Sequence, residues 1–120
     1  MSRRLVIIES PFAGDVEDNL AYLSAALEDS IRRGEAPFAS HGLYPIEAGG
    51  PLSDDVPEDR KTGIECGLAW SERADAAVFY VDHGMSRGMR AAHEYYKQRG
   101  TVVEFRMFGD ADVSTDVVLP

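Results

Sequence analysis

Two unbroken apolar runs, Leu5-Val6-Ile7-Ile8 and Ala76-Ala77-Val78-Phe79-Tyr80-Val81, lack the alternation of a strand with one wet face. Each reads as a strand buried on both faces of a sheet. Ser10-Pro11-Phe12-Ala13-Gly14 breaks the first run. Val16, Leu20, Leu23, Leu27 and Ile31 then recur at helical spacing and predict one apolar stripe. Asp15 caps that helix, with Asp18 at the capping-box position, and Gly34 ends it. Ala36-Pro37-Phe38-Ala39-Ser40-His41 is at best a short strand, because Pro37 has no N–H to donate. Residues 42–57 hold Gly42, Pro45, Gly49, Gly50 and Pro51 and predict a long loop, a kind often given to function. Pro57 suits the first turn of a second helix, which carries Ile64, Leu68, Ala69 and Trp70 inward and ends near Ala74. A third helix runs from Ser86 to Arg99, with Met89, Ala92, His93 and Tyr96 on its inner face, and Gly100 stops it. Residues 101–108 begin apolar and then alternate, as a strand at a sheet edge does.

Strands alternating with helices predict an α/β fold. Its parallel sheet has four or five strands and helices on both faces. Right-handed crossovers put the two strongest strands side by side at the centre. Their carboxyl ends carry residues 10–14 and 82–88, and open α/β sheets hold ligands where such loops meet. Asp82 ends its strand facing that crevice. Gly84 and Gly88 let backbone approach a bound group. Ser86 is a good N-cap, so free N–H groups beyond it face the same loop. The expected ligand is small and polar, a sugar or a phosphate. The domain is expected to span residues 1–108. Residues 109–120 form an acidic, then apolar tail that is disordered, adds a strand or contacts a second subunit.

The chain has 120 residues, enough for one core. Its formal charge of −9 repels a phosphate backbone, which argues against duplex nucleic acid but leaves room for one nucleotide in a locally positive pocket. A single cysteine, Cys66, rules out an intrachain disulfide and suits a reducing compartment. No apolar run nears the roughly 20 residues that span a bilayer, and the first is too short for a signal peptide. The expectation is a cytoplasmic protein without membrane contact. Three scattered histidines and one cysteine show no metal-ligand spacing, so neither a metal nor another cofactor is expected.

Ser10-Pro11-Phe12-Ala13-Gly14 followed by Asn19 resembles the first loop and helix of nucleoside 2-deoxyribosyltransferase-like proteins. Further pieces resemble a small, mostly phage-associated branch of that superfamily. They are Arg33-Gly34-Glu35-Ala36-Pro37, Ser40-His41, Pro57-Glu58-Asp59-Arg60, Gly63-Ile64-Glu65, and Asp82, Gly84, Ser86, Gly88 and Met89 in order. The resemblance implies a flavodoxin-like, Rossmannoid fold and a pocket for a nucleoside or nucleotide. It also implies chemistry at an N-glycosidic bond, in which a Glu attacks the anomeric carbon and displaces the base. A homodimer or larger assembly is implied too, since the enzymes complete their sites across subunits. The family nucleophile lies about four residues beyond the loop's last Gly, where this chain has Ala92. Glu94 is two residues further, about 200° around the helix. The carboxylate must then come from Asp82 or Glu65. The alternative is a protein that binds or sequesters a nucleotide or nucleotide signal without turning it over.

Each candidate has a plainer reading. Asp82 is a site carboxylate or a capping Asp. Glu65 is a site carboxylate or a surface Glu, on a helix whose Gly63 and Gly67 point to close packing. Ser10, Pro11, Phe12, Gly14, Asn19, Gly84, Ser86, Gly88 and Met89 contact the ligand or only build the two loops. His41 bonds a base or phosphate, or makes a structural bond. Arg60, Lys61, Arg87 and Arg90 pair with a phosphate or solvate a face, Arg87 being best placed at a helix N-terminus. Arg106 reaches the site or a partner subunit. Phe12 and Tyr44 can stack on a base. Trp70 and Cys66 read as packed residues.

Overall fold

The structure, a computed structural model, describes residues 2–108. In chain order it has β1 (Arg4–Glu9), α1 (Val16–Arg32), β2 (Glu35–Phe38), α2 (Pro57–Ser71), β3 (Ala76–Tyr80), α3 (Arg87–Arg99) and β4 (Val103–Arg106). The strands form one parallel sheet in the order β2-β1-β3-β4. This is the expected α/β fold, with β1 and β3 at its centre and Val6 aligned with Ala76. The tail from residue 109 lies outside the described residues.

Strand alternation divides the core between two faces. Val6, Ile8, Ala76, Val78 and Tyr80 pack against Tyr22, Leu23 and Ala26 of α1. Ala77, Phe79 and Val81 pack against Met89 and Tyr96 of α3, with Leu68 of α2 at the margin. Every residue of β3 is 0% exposed, which explains why it reads as an unbroken apolar run. Asp15 caps α1 by accepting from the Asp18 N–H at 3.2 Å. Gly100 ends α3 in the left-handed region at φ 73°.

Several element details differ from the sequence expectation. Ile31 is exposed, and Ser30 takes the inward place because its hydroxyl donates to the buried Glu35 carboxylate at 2.8 Å. α2 ends at Ser71. It turns Gly67 and Ser71 inward, leaving Ile64 52% and Trp70 54% exposed. The cause is a close approach: a Cβ on Gly67 would lie 2.7 Å from Ser40 Oγ and 2.8 Å from Ser40 Cβ. Trp70 instead lies over Phe38 of the edge strand, ring centroids 5.3 Å apart. β2 stops at Phe38, and His41 falls in a 3-10 turn, Ser40–Gly42. β4 covers four residues of the predicted eight. The long loop is held by its own backbone, with Ile46 N–H donating to Leu52 O and Leu52 N–H to Tyr44 O.

Gly67→Ala should therefore destabilise the protein by about 1–3 kcal/mol despite alanine's better helix propensity. Adding Ser40→Gly removes the obstructing atoms and should recover most of the loss. Urea titrations of the single and double variants test this. A single variant as stable as the parent would show that α2 is free to lift away.

Arg106 reaches neither the crevice nor the outer surface. It is 3% exposed and forms a bidentate pair with Glu35, Nη1 to Oε1 at 2.7 Å and Nη2 to Oε2 at 2.6 Å. Arg4 joins the cluster through Glu35 and Glu104. Arg106 also donates to the Tyr80 hydroxyl at 3.2 Å, which donates to Asp29 of α1 at 2.6 Å. The two edge strands are thus tied to each other and to α1 through buried charge.

Candidate functional site

The chain leaves β1 and β3 in opposite directions across the sheet, so a crevice opens above their carboxyl ends. Three loops surround it, following β1, β2 and β3. In the first, the Asn19 amide donates to Phe12 O at 2.9 Å and Ala13 O at 3.1 Å. Gly14 then turns the chain into α1 at φ 100°. Asn19 and Gly14 thus build the loop, while Pro11 and Phe12 remain half-buried on it. In the third loop Ser86 caps α3, its hydroxyl accepting from Met89 N–H at 3.2 Å. Gly84 makes the turn at φ 79°, and a Cβ on Gly88 would meet open space. Met89 is 2% exposed, and its sulfur accepts from Ser86 N–H, so it is a core residue and not a ligand contact. Arg87 is exposed beside this turn.

The second loop brings His41 to Ser10. Ser10 Oγ and His41 Nε2 are 2.8 Å apart, and Phe12 meets the imidazole edge-on at 6.3 Å between centroids. Burial pushes the His41 pKa down to about 4, so the ring is neutral at physiological pH. Ser10 is 5% exposed and holds the His41 ring, so of these three predicted contacts only Phe12 and His41 remain half-buried and partly open.

Asp82 is committed to holding the fold. It accepts from the Tyr22 hydroxyl of α1 at 2.6 Å and from Phe108 N–H at 3.0 Å, and its own N–H donates back to the Tyr22 oxygen at 3.0 Å. The carboxylate thereby clips the ends of β3 and β4 to α1. Glu65 lies apart from it, exposed on the outer side of α2. With Arg60, Lys61, Asp54 and Asp55 it lines an open groove of about 650 Å³. Arg60 faces Asp54 there at 3.8 Å. Of the two expected carboxylates, Glu65 thus lies on the outer side of α2 and Asp82 is engaged by Tyr22 and Phe108.

The carboxyl at the crevice is Glu9, which the sequence reading passed over. It ends β1 and lies on the strand face opposite Val6 and Ile8. There the Tyr96 hydroxyl of α3 donates to its Oε2 at 2.6 Å. Burial pushes its pKa up to about 7, against the opposing effect of the Tyr96 bond. Ala92 packs on the same core cluster as Tyr96, one helical turn nearer the crevice. Glu94 is exposed and accepts from Gln98. The available sequence signal was a lone acid closing an unbroken apolar strand. It was masked because strand-end carboxylates are usually solvated.

These groups bend stability in opposite senses with pH. His41 is depressed on folding, so its contribution is full above the ordinary histidine value of 6.5 and is lost as pH falls toward 4. Glu9 is raised, so its contribution is full below its ordinary 4.5 and is lost as pH rises through about 7.

Among the described residues, no helix is long and apolar enough to cross a membrane, and no group of three His, Cys, Asp or Glu side chains could hold a metal. Residues 4–106 match the family model described as Domain of unknown function DUF7768, and the chain belongs to that family. No curated protein and no solved structure matches it.

Proposed function

We propose that this DUF7768 member binds a nucleoside or nucleotide in the crevice above β1 and β3 and acts on its N-glycosidic bond. The observation that carries this reading is Glu9, a half-buried carboxyl held by Tyr96 at the end of the central strand. Enzymes that break glycosidic bonds commonly use a positioned carboxyl group. The half-buried Phe12 and neutral His41, the latter held by Ser10, offer aromatic surface for a sugar or base. The resemblance to nucleoside 2-deoxyribosyltransferase-like proteins supplies the ligand class. The protein works in the cytoplasm, as a homodimer or larger assembly. The exposed Ile64 and Trp70 of α2 support that self-association.

Ala92 favours a second reading. It stands where the resemblance puts the nucleophile, and a chain without that group is suited to holding a nucleotide without turning it over.

One experiment separates the two. The protein is incubated with a mixed pool of nucleosides, nucleotides and dinucleotide signals, and free and protein-retained fractions go to mass spectrometry. Free base accumulating with time and protein concentration is the expected result. An intact compound found only in the retained fraction would establish the binder. The absence of both signals would reject the crevice as a nucleotide site.

A further inference from the structure

We propose that Glu9 is the general acid of this crevice and that Tyr96 positions it, an inference that rests on the N-glycosidic reading above. Three observations converge on it. First, Glu9 stands at the carboxyl end of β1, directly before the loop of residues 10–14, and is partly open to solvent. Second, the Tyr96 hydroxyl donates to Oε2, which restrains the carboxyl group and leaves Oε1 as the oxygen that Tyr96 does not engage. Tyr96 is itself 1% exposed and set edge-on against Phe79 at 6.0 Å, so the donor is rigidly held. Third, Ala92 brings no carboxyl to the neighbouring turn of α3, whose His93 packs edge-on against Phe79 at 5.7 Å, so the carboxyl on this side comes from the strand.

A departing nucleobase needs a proton on nitrogen, and a carboxyl kept protonated near neutral pH supplies it. The Glu9 carboxyl gives its proton to the base nitrogen. The C1′–N bond breaks, and its electron pair goes to that nitrogen. A water oxygen bonds to C1′, and the water proton returns to the Glu9 carboxylate. The sum is glycoside plus water giving free base and sugar, with Glu9 restored. Asp82 cannot take this part, because Tyr22 and Phe108 already occupy its carboxylate.

The test uses the full chain with the four common 2′-deoxyribonucleosides and their 5′-monophosphates. It adds a 4-nitrophenyl glycoside of the same sugar, whose leaving group departs without protonation. Glu9→Gln should slow release of natural bases by roughly 100- to 10,000-fold. It should leave the 4-nitrophenyl substrate within a few-fold of the parent, a split that a merely structural role would not produce. The parent rate should fall as pH rises through about 7, the value to which Glu9 is raised. Tyr96→Phe removes a bond that favours the charged carboxylate, so that limb should move to higher pH. Melting temperatures of both variants confirm that they fold.

A parent that releases base while Glu9→Gln matches it would overturn the role of Glu9 and leave the N-glycosidic reading standing. Equal loss on both substrates in a folded Glu9→Gln would also overturn the acid role. A parent that releases no base from any of these substrates would overturn the N-glycosidic reading and the role of Glu9 together.

Discussion

Glu35→Ala is expected to lower the unfolding free energy by about 3–5 kcal/mol, the largest stability loss among these variants. Glu35 is buried at the start of an edge strand, where an acid finds little solvent. It accepts both Nη groups of Arg106, the Ser30 hydroxyl and an Arg4 nitrogen. Removing it leaves the Arg106 guanidinium at 3% exposure without its bidentate partner. The residual bonds to Glu104 and Tyr80 satisfy only part of that charge. Burial pushes the Glu35 carboxyl up, but the bonds from Arg106 and Ser30 outweigh it and hold the group below the usual glutamate value. Its contribution is therefore full above the ordinary value of 4.5 and is lost as pH falls through the lowered one. Urea denaturation from pH 3 to 7 reads both effects. The parent should show a steeper acid limb than Glu35→Ala, which keeps only the part owed to groups such as His41. A variant within 1 kcal/mol of the parent would mean that the charge cluster is not what ties β2 and β4 to α1.

Asp82→Ala is expected to cost about 3 kcal/mol, from the lost charge-assisted bonds and a stranded Tyr22 hydroxyl. The corresponding fall in melting temperature is on the order of 10 °C. Three contacts end at this one side chain or its N–H, from α1 and from the strand end after β4. Asp82→Asn keeps an acceptor for Tyr22 and should lose less than half as much. Any loss of base release in Asp82→Ala should follow the unfolded fraction and vanish at temperatures where the variant is fully folded. Full stability combined with abolished release would instead return Asp82 to the chemistry.

The two carboxylates show where sequence reasoning reached and where it stopped. Asp82 was legible as special, since it ends a buried strand ahead of a glycine-bearing turn. Its role was not legible, because Tyr22 lies 60 positions away in the chain. Glu9 had the same strand-end position but drew no notice, because its partner Tyr96 lies 87 positions away. The Ser10–His41 pair was half legible. Both residues were candidates, but only the parallel pairing of β1 and β2 brings them within 2.8 Å. The α2 helix misled for a different reason. Its apolar residues are scattered around the helix, and steric closeness at Gly67 decided which face turned inward.

Local sequence specified the strand and helix order, the central pair of strands, the Asp15 and Ser86 caps of α1 and α3, and the meeting of the first and third loops at the sheet's carboxyl edge. Those features follow from local periodicity and from backbone preferences of Ser, Asp and Gly, which act over a few residues. The distant contacts of the folded chain set which polar groups are tied into the scaffold. A carboxylate's protonation and freedom depend on what lies against it, and here those neighbours come from distant elements. Tyr22 and Phe108 turn Asp82 into a clip, Glu35 draws Arg106 inside, and burial raises the Glu9 pKa against the opposing Tyr96 bond.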